Sequence, residues 1–480
     1  MTYHFVGVGG IGMSAIARVL LARGATVSGS DVKETPLTQE LRGDGVAISI
    51  GHDAANIGDA DVVIVSSAID RNNPEYVAAQ RRGIEVLHRG EMLAGLLRGR
   101  RGIAICGTHG KTTTTAMIHC VLRNSGVDAG LVLGGIDATS HTNAHDGASP
   151  WFVTEADESD GSFALLSPEI AVVTNIENDH LASDDELPQL VRAFAEFLQR
   201  LPSGGRAVIG IDNELSASLC EHELTATLVR FGLNGGADLQ IERLRFAGLG
   251  SSFDVVAGGE RLGTVELGVP GAMNVANALA AVAVGRALEL PFERIARALR
   301  EFRGVRRRFD ILAQTPRMVV VDDYAHHPTA VRATIGAARQ YHHGPIVVAF
   351  QPHRYTRTAF LAREFADALR GADTVYLAPV YAASEPAIPG VSERSIGQPL
   401  AALGANVAYV ECVQDLEERL LAEAPAGALV LMLGAGTITD TAARLAARLE
   451  NAHGIVSLSG RASTSLGTGS APSRKAKGAS

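Results

Sequence analysis

The sequence predicts an α/β chain built from three units in series, each around a largely parallel sheet. Three observations carry this reading. Residues 1–97 alternate apolar strand-like runs with amphipathic helical ones, a pattern that buries a parallel sheet between helices. A second alternating series opens at residue 98 with the arginine–glycine cluster "RGRRG". A third starts at residue 315 and holds four apolar runs, each ending in polar or glycine residues. That arrangement puts ligand chemistry at the carboxyl ends of parallel strands. A chain of 480 residues has room for two to four domains.

In the first unit "YHFVGV" reads as a buried strand and "GMSAIARVLLARG" as an amphipathic helix closed by glycine. "TVSGSD", "DVVIVSS" and "GIEVLH" follow as strands. Between the first strand and helix lies "GVGGIG", Gly7 to Gly12, and Asp31 closes the next strand. Asp31 follows at about the twenty-residue spacing of a dinucleotide-binding turn. Such glycines let the backbone approach a diphosphate, and the helix N-terminus favours its charge. The pattern detects a diphosphate and a ribose hydroxyl, not a base. A nicotinamide-dependent oxidoreductase and a protein binding a UDP-linked substrate both satisfy it.

The second unit reads as strands "GIAICG", "PWFVTEADE", "EIAVVTNIE" and "GRAVIGID". After the first comes "CGTHGKTTTT", residues 106–115, leading into a helix that ends at Gly126. This loop is two residues shorter than the usual phosphate loop. The usual spacing would require glycine at 105, where the chain has Ile105. Its strand–helix context still suits phosphate. Backbone N–H groups from Gly107 to Thr112 are expected to surround phosphate oxygens, with Lys111 neutralising them and the Thr112 hydroxyl reaching Mg²⁺. Lys111 stands out because the chain holds 43 lysines and arginines, of which Lys33, Lys111, Lys475 and Lys477 are the lysines. A compact ammonium suits a phosphate cradle better than a guanidinium fork. The next two strands end in Glu155, Asp157, Glu158 and Asp160, and in Asn175, Glu177, Asp179 and His180. This oxygen-rich set favours Mg²⁺ over zinc.

Residues 225–268 change to short alternating segments with glycine turns and are expected to form an antiparallel insertion, making the sheet mixed. "NVANALAAVAVGRALEL" returns to helix. The third unit, 315–456, carries the strands "MVVVDDYAHHP", "IVVAFQPHR", "TVYLAPVY" and "ALVLMLGAG". Residues 457–480 are rich in serine, glycine and alanine and are expected to be a disordered tail. The net charge of −9 argues against nucleic acid or an acidic membrane as the main partner. The four cysteines are scattered, with no zinc-binding spacing. No apolar run reaches membrane-spanning length, and no signal peptide opens the chain. A cytoplasmic enzyme is expected.

Taken together, "GTHGKTT", "EADESD", "TNIENDH", "DDYAHHP" and "FQPHRYTR" resemble the Mur ligase family. "HFVGVGGIGMSAIA", "SGSD" and "SSAI" are similar to the UDP-sugar domain of its alanine-adding branch. The family's short loop, G-T-x-G-K-T, accounts for the missing residues. The resemblance covers roughly residues 3–450. It implies a Rossmann-like UDP-sugar domain, a central P-loop ATPase domain with a mixed sheet, and a Rossmann-like C-terminal domain. Their expected bounds are 1–97, 98–314 and 315–456. It implies an ATP-dependent amide ligase that joins L-alanine to the lactyl carboxylate of UDP-N-acetylmuramate through an acyl phosphate, in peptidoglycan precursor synthesis. A murein tripeptide ligase acting on the same sugar is the near alternative. ATP, UDP-N-acetylmuramate, L-alanine and Mg²⁺ are the implied ligands, with neither nucleic acid nor membrane.

The resemblance also implies residue roles. Gly10, Gly12, Asp31, Ser66, Ser67, His109 and Glu158 face the UDP-sugar, His109 at its carboxylate. Gly107, Thr108, His109, Gly110, Lys111, Thr112 and Thr113 cradle ATP, with Asn274 and Asn277 on the adenine side. Arg308, Asp322, Asp323 and His326 close over ATP, and Arg354 and Arg357 over the amino acid and phosphate. Thr112, Glu155 and His180 hold Mg²⁺. Lys111, Glu155, His180 and His326 are the expected catalytic set. Arg306 and Arg307 are expected to be surface arginines, and His327 to be structural. Two departures stand out. Met273 replaces the family's usual histidine. No lysine lies between residues 112 and 474, so the carbamylated lysine of other Mur ligases has no counterpart, and Glu155 and His180 must hold the metal without it.

Overall fold

The computed structural model describes residues 1–157, 161–179 and 184–453. The first sheet has five parallel strands in the order Ala47–Ile50, Thr26–Asp31, Thr2–Val6, Val62–Val65, Glu85–His88. Thr2–Val6 is central, so the glycine loop after it lies where the strand order reverses, the crevice in which such sheets bind ligands. The edge strand Ala47–Ile50 escaped the sequence reading. Its four residues are all partly or fully exposed, so neither a buried run nor an alternating pattern announces it.

The second sheet has ten strands. From one edge they run Glu260–Leu267, Gly250–Ala257, Leu239–Ala247, Thr227–Phe231, Arg206–Gly210, Ile170–Val173, Arg101–Cys106, Trp151–Glu155, Gly130–Val132 and Ala144–His145. The strand that precedes the phosphate loop, Arg101–Cys106, pairs in parallel with both strands that end in acids. The loop and both acidic segments therefore lie together at the carboxyl ends of three adjacent inner strands. The insertion is antiparallel only from Leu239 onward. Thr227–Phe231, expected to belong to it, pairs in parallel with Arg206–Gly210; a short half-buried strand carries no sign of direction in its own pattern.

The third sheet runs Asp310–Gln314, Met318–Asp323, Ala428–Leu433, Ile346–Phe350, Thr374–Leu377, Val407–Tyr409. All pairs are parallel except the first. Asp310–Gln314 was expected in the central unit, yet it pairs with Met318–Asp323, so the third sheet begins before residue 315.

Helix Ala272–Ala287 is apolar on nearly every face and buried along most of its length, as a helix inside a core should be. It packs with Lys111–Asn124 and Phe292–Glu301 over one face of the central sheet. A Cβ on Gly285 would come within 2.7 Å of Ile295, so its small residues permit the close approach. The first and second units share one core: Phe5 and Ile16 lie in the same buried cluster as Phe152 and Phe194. Asn143, fully buried, pins that junction. It donates to Ile11 O (2.8 Å) and Ser14 Oγ (2.9 Å) and accepts from Arg18 (2.7 Å). Among the described residues no helix is long and apolar enough to cross a membrane.

Candidate active site

The phosphate loop turns at Gly107 (φ +116°) and Gly110 (φ +83°) and enters the helix Lys111–Asn124. Both positions exclude a side chain. A Cβ on Gly107 would meet Thr174 Oγ1 at 2.4 Å, and one on Gly110 would meet Asn277 Oδ1 at 2.6 Å. The first turn of the helix directs its N–H groups at this loop, an arrangement that favours an anion there. The Lys111 ammonium folds over the loop, donating to Gly107 O (2.6 Å) and Thr108 O (3.4 Å). Thr112 Oγ1 donates to Glu155 Oε2 at 3.0 Å, and Gly134 N donates to Glu155 Oε1 at 2.5 Å. Burial raises the pKa of Glu155 against the opposing pull of Gly134, Lys111, Thr112 and Arg308. Thr112 and Glu155 thus place oxygen donors side by side. Thr113 is buried in the same turn.

Two loop N–H groups expected to face phosphate are turned elsewhere. Thr108 N donates to Asn175 O (2.9 Å) and His109 N to Asn175 Oδ1 (2.8 Å). Asn175 and Thr174 also donate to His109 O. Asn175 therefore braces the loop, a role that its place in an acidic string did not suggest. His109 does not enter the cleft toward a sugar. Its Nε2 lies 3.2 Å from Glu177 Oε2, and its ring lies 4.9 Å from that of His327. Asn274 and Asn277 are buried under the loop: Thr114 donates to Asn277 Oδ1, Asn277 to Asn274 Oδ1 and Asn274 to Pro270 O. In this structure they support the loop from below.

The cleft beside Lys111 is lined by Gly12, Ile16, Arg89, Leu93, Gly134 and Glu155 among others. It lies between the first and second units. Gly10 and Gly12 begin the helix Ile11–Ala22 at its mouth. Asp31 is engaged with the glycine loop itself, its Oδ2 accepting from Gly9 N at 2.9 Å. Ser66 and Ser67 follow the strand Val62–Val65, with Ser67 Oγ 3.0 Å from His88 Nε2. Arg89, missed from the sequence, joins Lys111 as a cation lining this cleft. A Cβ on Gly12 would sit 2.9 Å from Arg89 Nη1, and Arg89 reaches Asp157 at 3.2 Å. A lone arginine opening a helix gives no sequence signal.

The third unit closes from the far side. Arg308 lies over the Tyr324 ring at 5.0 Å, and its charge acts on both Glu155 and Asp323. Asp323 accepts from Phe309 N (2.7 Å) and Ala325 N (2.8 Å), and burial raises its pKa. Its carboxylate is spent on holding the chain. Burial lifts Asp322 to about 6 despite Arg307 and Thr439. Arg307 is not the simple surface arginine expected: it donates to Gly434 O at 3.0 Å and lies 3.6 Å from Asp322. Arg306 is half-buried and ties its N–H to Ile136 O. His326 donates from Nδ1 to Tyr324 O, and burial beside Arg357 holds its pKa well below the usual value. Arg357 is buried against Asp179 (2.8 Å), joining the third unit to the second. Arg354 is more exposed and lies 4.0 Å from Glu385. Glu158 and His180 lie outside the described residues, as does the expected tail.

The three sheets, the short phosphate loop and the cleft between two nucleotide-type crevices define a nucleotide-dependent α/β enzyme. Three family models match in series: "Mur ligase family, catalytic domain" over residues 2–101, "Mur ligase middle domain" over 105–285, and "Mur ligase, glutamate ligase domain" over 307–436. The chain belongs to the Mur ligase family. It is 46% identical over 450 residues to a UDP-N-acetylmuramate--L-alanine ligase of Acidithiobacillus ferrooxidans, covering 92% of this chain and 96% of the relative. It is 44% identical to the protein of that name from Syntrophotalea carbinolica, covering 94% and 98%. The UDP-N-acetylmuramate-alanine ligase MurC of Thermotoga maritima superposes with a TM-score of 0.82 at 33% identity, covering 94% of this chain and all of that one. A murein peptide ligase of Psychrobacter arcticus gives 0.73 at 25% identity, covering 94% and 99%.

Proposed function

We propose that this chain is an ATP-dependent ligase that joins L-alanine to the lactyl carboxylate of UDP-N-acetylmuramate. The observation that carries the reading is a single cleft. One wall holds Lys111 and Glu155 of the phosphate loop region, and the other holds Gly12 and Arg89 of the glycine-loop unit. A sugar nucleotide anchored on the glycine loop would present its carboxylate to ATP held on the phosphate loop. The carboxylate oxygen attacks the γ-phosphorus and ADP leaves. The alanine amine then attacks the acyl carbon, phosphate leaves, and the amine loses a proton. Glycine-loop binding by a nicotinamide cofactor would leave Lys111 and Glu155 without a task.

Phosphoryl transfer depends chiefly on positioning and on neutralising charge. Lys111 and the helix N-terminus supply positive potential on the ATP side, and Arg89 supplies it on the sugar side. Thr112 and Glu155 fit Mg²⁺, a hard cation that takes oxygen ligands, and His180 is the third proposed ligand. Mg²⁺, when bound, screens the repulsion between carboxylate and triphosphate. Burial and Arg357 keep His326 neutral, so it would face the reacting groups as a neutral imidazole, its Nδ1 proton held by Tyr324 O. Both nucleotide substrates are cytoplasmic, and the reading places the enzyme there.

The test is product analysis by mass spectrometry. The chain is incubated with ATP, Mg²⁺ and UDP-N-acetylmuramate, and with L-alanine, glycine, L-serine or murein tripeptide in turn. L-Alanine is expected to give the amide together with ADP and phosphate. Preferential coupling of the tripeptide would overturn the alanine assignment. Phosphate release that ignores both the sugar and the amino acid would overturn the ligase reading.

A further inference from the structure

His109, Glu177 and His327 form a cluster that the ligase chemistry does not use. One donor atom from each lies within 4.8 Å of the other two, and among the described residues no other such trio is found. His109 Nε2 is 3.2 Å and His327 Nδ1 is 3.7 Å from the same oxygen, Glu177 Oε2. Tetrahedral geometry with metal–nitrogen bonds of about 2.0–2.1 Å places neighbouring donors roughly 3.3 Å apart. The two spacings to Glu177 bracket that value.

The second observation is the state of His327. It is 6% exposed, and its Nδ1 has no hydrogen-bond partner among the described residues. Its Nε2 lies 3.1 Å from the carbonyl of Asn178. A carbonyl can only accept, so the ring proton is on Nε2 and the lone pair on Nδ1. That lone pair points toward a carboxylate, which a cation between them would reconcile. The surroundings resemble the outer shell of a metal site: Asn178 O fixes the His327 tautomer, and Thr329 Oγ1 donates to Glu177 Oε2 at 2.6 Å. Such partners orient ligands and raise their basicity.

We propose that His109, Glu177 and His327 form a binding site for a borderline-soft divalent cation such as Zn²⁺. Two imidazoles and a carboxylate suit zinc or cobalt rather than Mg²⁺, which prefers an all-oxygen shell. The site shares no residue with the Thr112, Glu155 and His180 set. His109 and Glu177 belong to the second unit, and His327 starts the first helix of the third. An ion here clasps the two units together, and it does so whether or not the chain is an alanine ligase.

The experiment uses the full chain, stripped with chelator and titrated with Co²⁺ in millimolar excess of Mg²⁺. Bound metal is counted by equilibrium dialysis, and coordination is read from the visible spectrum. One Co²⁺ per chain is expected, with the intense bands of a low-coordinate, imidazole-bound ion, displaced by Zn²⁺. His327→Ala is expected to weaken binding about tenfold or more. If that variant loses its cooperative melt, His109→Gln, which changes the site from the other unit, decides the matter by the same criterion. Failure to bind Co²⁺ in excess Mg²⁺, or unchanged binding in a folded ligand variant, overturns the proposal.

Discussion

Lys111 is the residue whose placement was most legible. Its rarity and its place between glycine and threonines pointed to phosphate, and in the structure its ammonium closes over the loop. Electrostatic contacts to a developing charge are typically worth factors of about 10²–10³ in rate. Lys111→Ala is therefore expected to slow sugar-dependent phosphate release by at least about a hundredfold, with the melting temperature little changed. A variant keeping a tenth of the rate would remove Lys111 from the phosphoryl step. Neighbouring residues were less legible, because motifs name residues but not the direction of their side chains. His109 lies in the same string as Lys111 yet points to Glu177 and His327, which are distant in sequence. Asn175 looked like one more polar residue at a strand end, and its grip on the loop depends on the pairing of Ile170–Val173 with Arg101–Cys106.

At the scale of elements, apolar strands and amphipathic helices announced themselves, and edge strands did not. Ala47–Ile50 and Val407–Tyr409 are short and only partly buried, so their identity comes from the neighbour they pair with. The linker ahead of the third sheet was misread for a related reason. "RRRF" has the composition of a solvated surface, yet Arg307 (φ +63°) and Phe309 (φ +49°) both adopt left-handed backbone. Non-glycine residues hold such angles where surrounding contacts impose them, and here Ile136 O and Asp323 receive the N–H groups of Arg306 and Phe309. A second network, also invisible in sequence, holds the first unit. Glu75 is fully buried at the start of helix Pro74–Arg82 and accepts from Ser30 Oγ (2.6 Å) and Asn56 Nδ2 (2.7 Å), with His4 Nε2 at 3.2 Å. Burial alone would raise its pKa, but the hydrogen bonds from His4, Ser30 and Asn56 outweigh this and lower it from 4.5 to about 2. A carboxyl depressed on folding contributes stability that is full above its unfolded value and lost as pH falls through its folded one. Urea midpoints are thus expected to show wild type ahead of Glu75→Gln at neutral pH. The gap, on the order of 3 kcal/mol, should close between pH 4.5 and about 2. A gap that does not depend on pH would mean that Glu75 acts by shape alone.

At the scale of the molecule, the first two units share a continuous core, whereas the third has a core of its own, which Leu249 of the second unit packs against, and is tied to the second unit by polar contacts. Thr329 donates to Glu177, His327 meets Asn178 O, and Arg357 pairs with Asp179. The Arg357–Asp179 pair is the deepest of these, with side chains 4% and 9% exposed. Burial pulls the Arg357 pKa down while Asp179 pushes it up, so Asp179 offsets the cost of holding an always-charged guanidinium in a buried place. Removing one member of a buried pair typically costs about 3–5 kcal/mol. Across a seam between units, that cost is escaped by opening, which returns the remaining charge to water. Arg357→Met is therefore expected to widen the molecule in solution scattering while each unit still melts cooperatively. Hydrogen exchange should rise at residues 175–179 and 327–335 and stay unchanged at the junction around Asn143. Turnover should fall, because the cleft is then completed less often, and a rise in KM for ATP should accompany the loss. Asp179→Asn should produce the same opening, and the double variant should be no worse than either single one. Additive losses would show that the two residues act separately and that the seam is held by its other contacts.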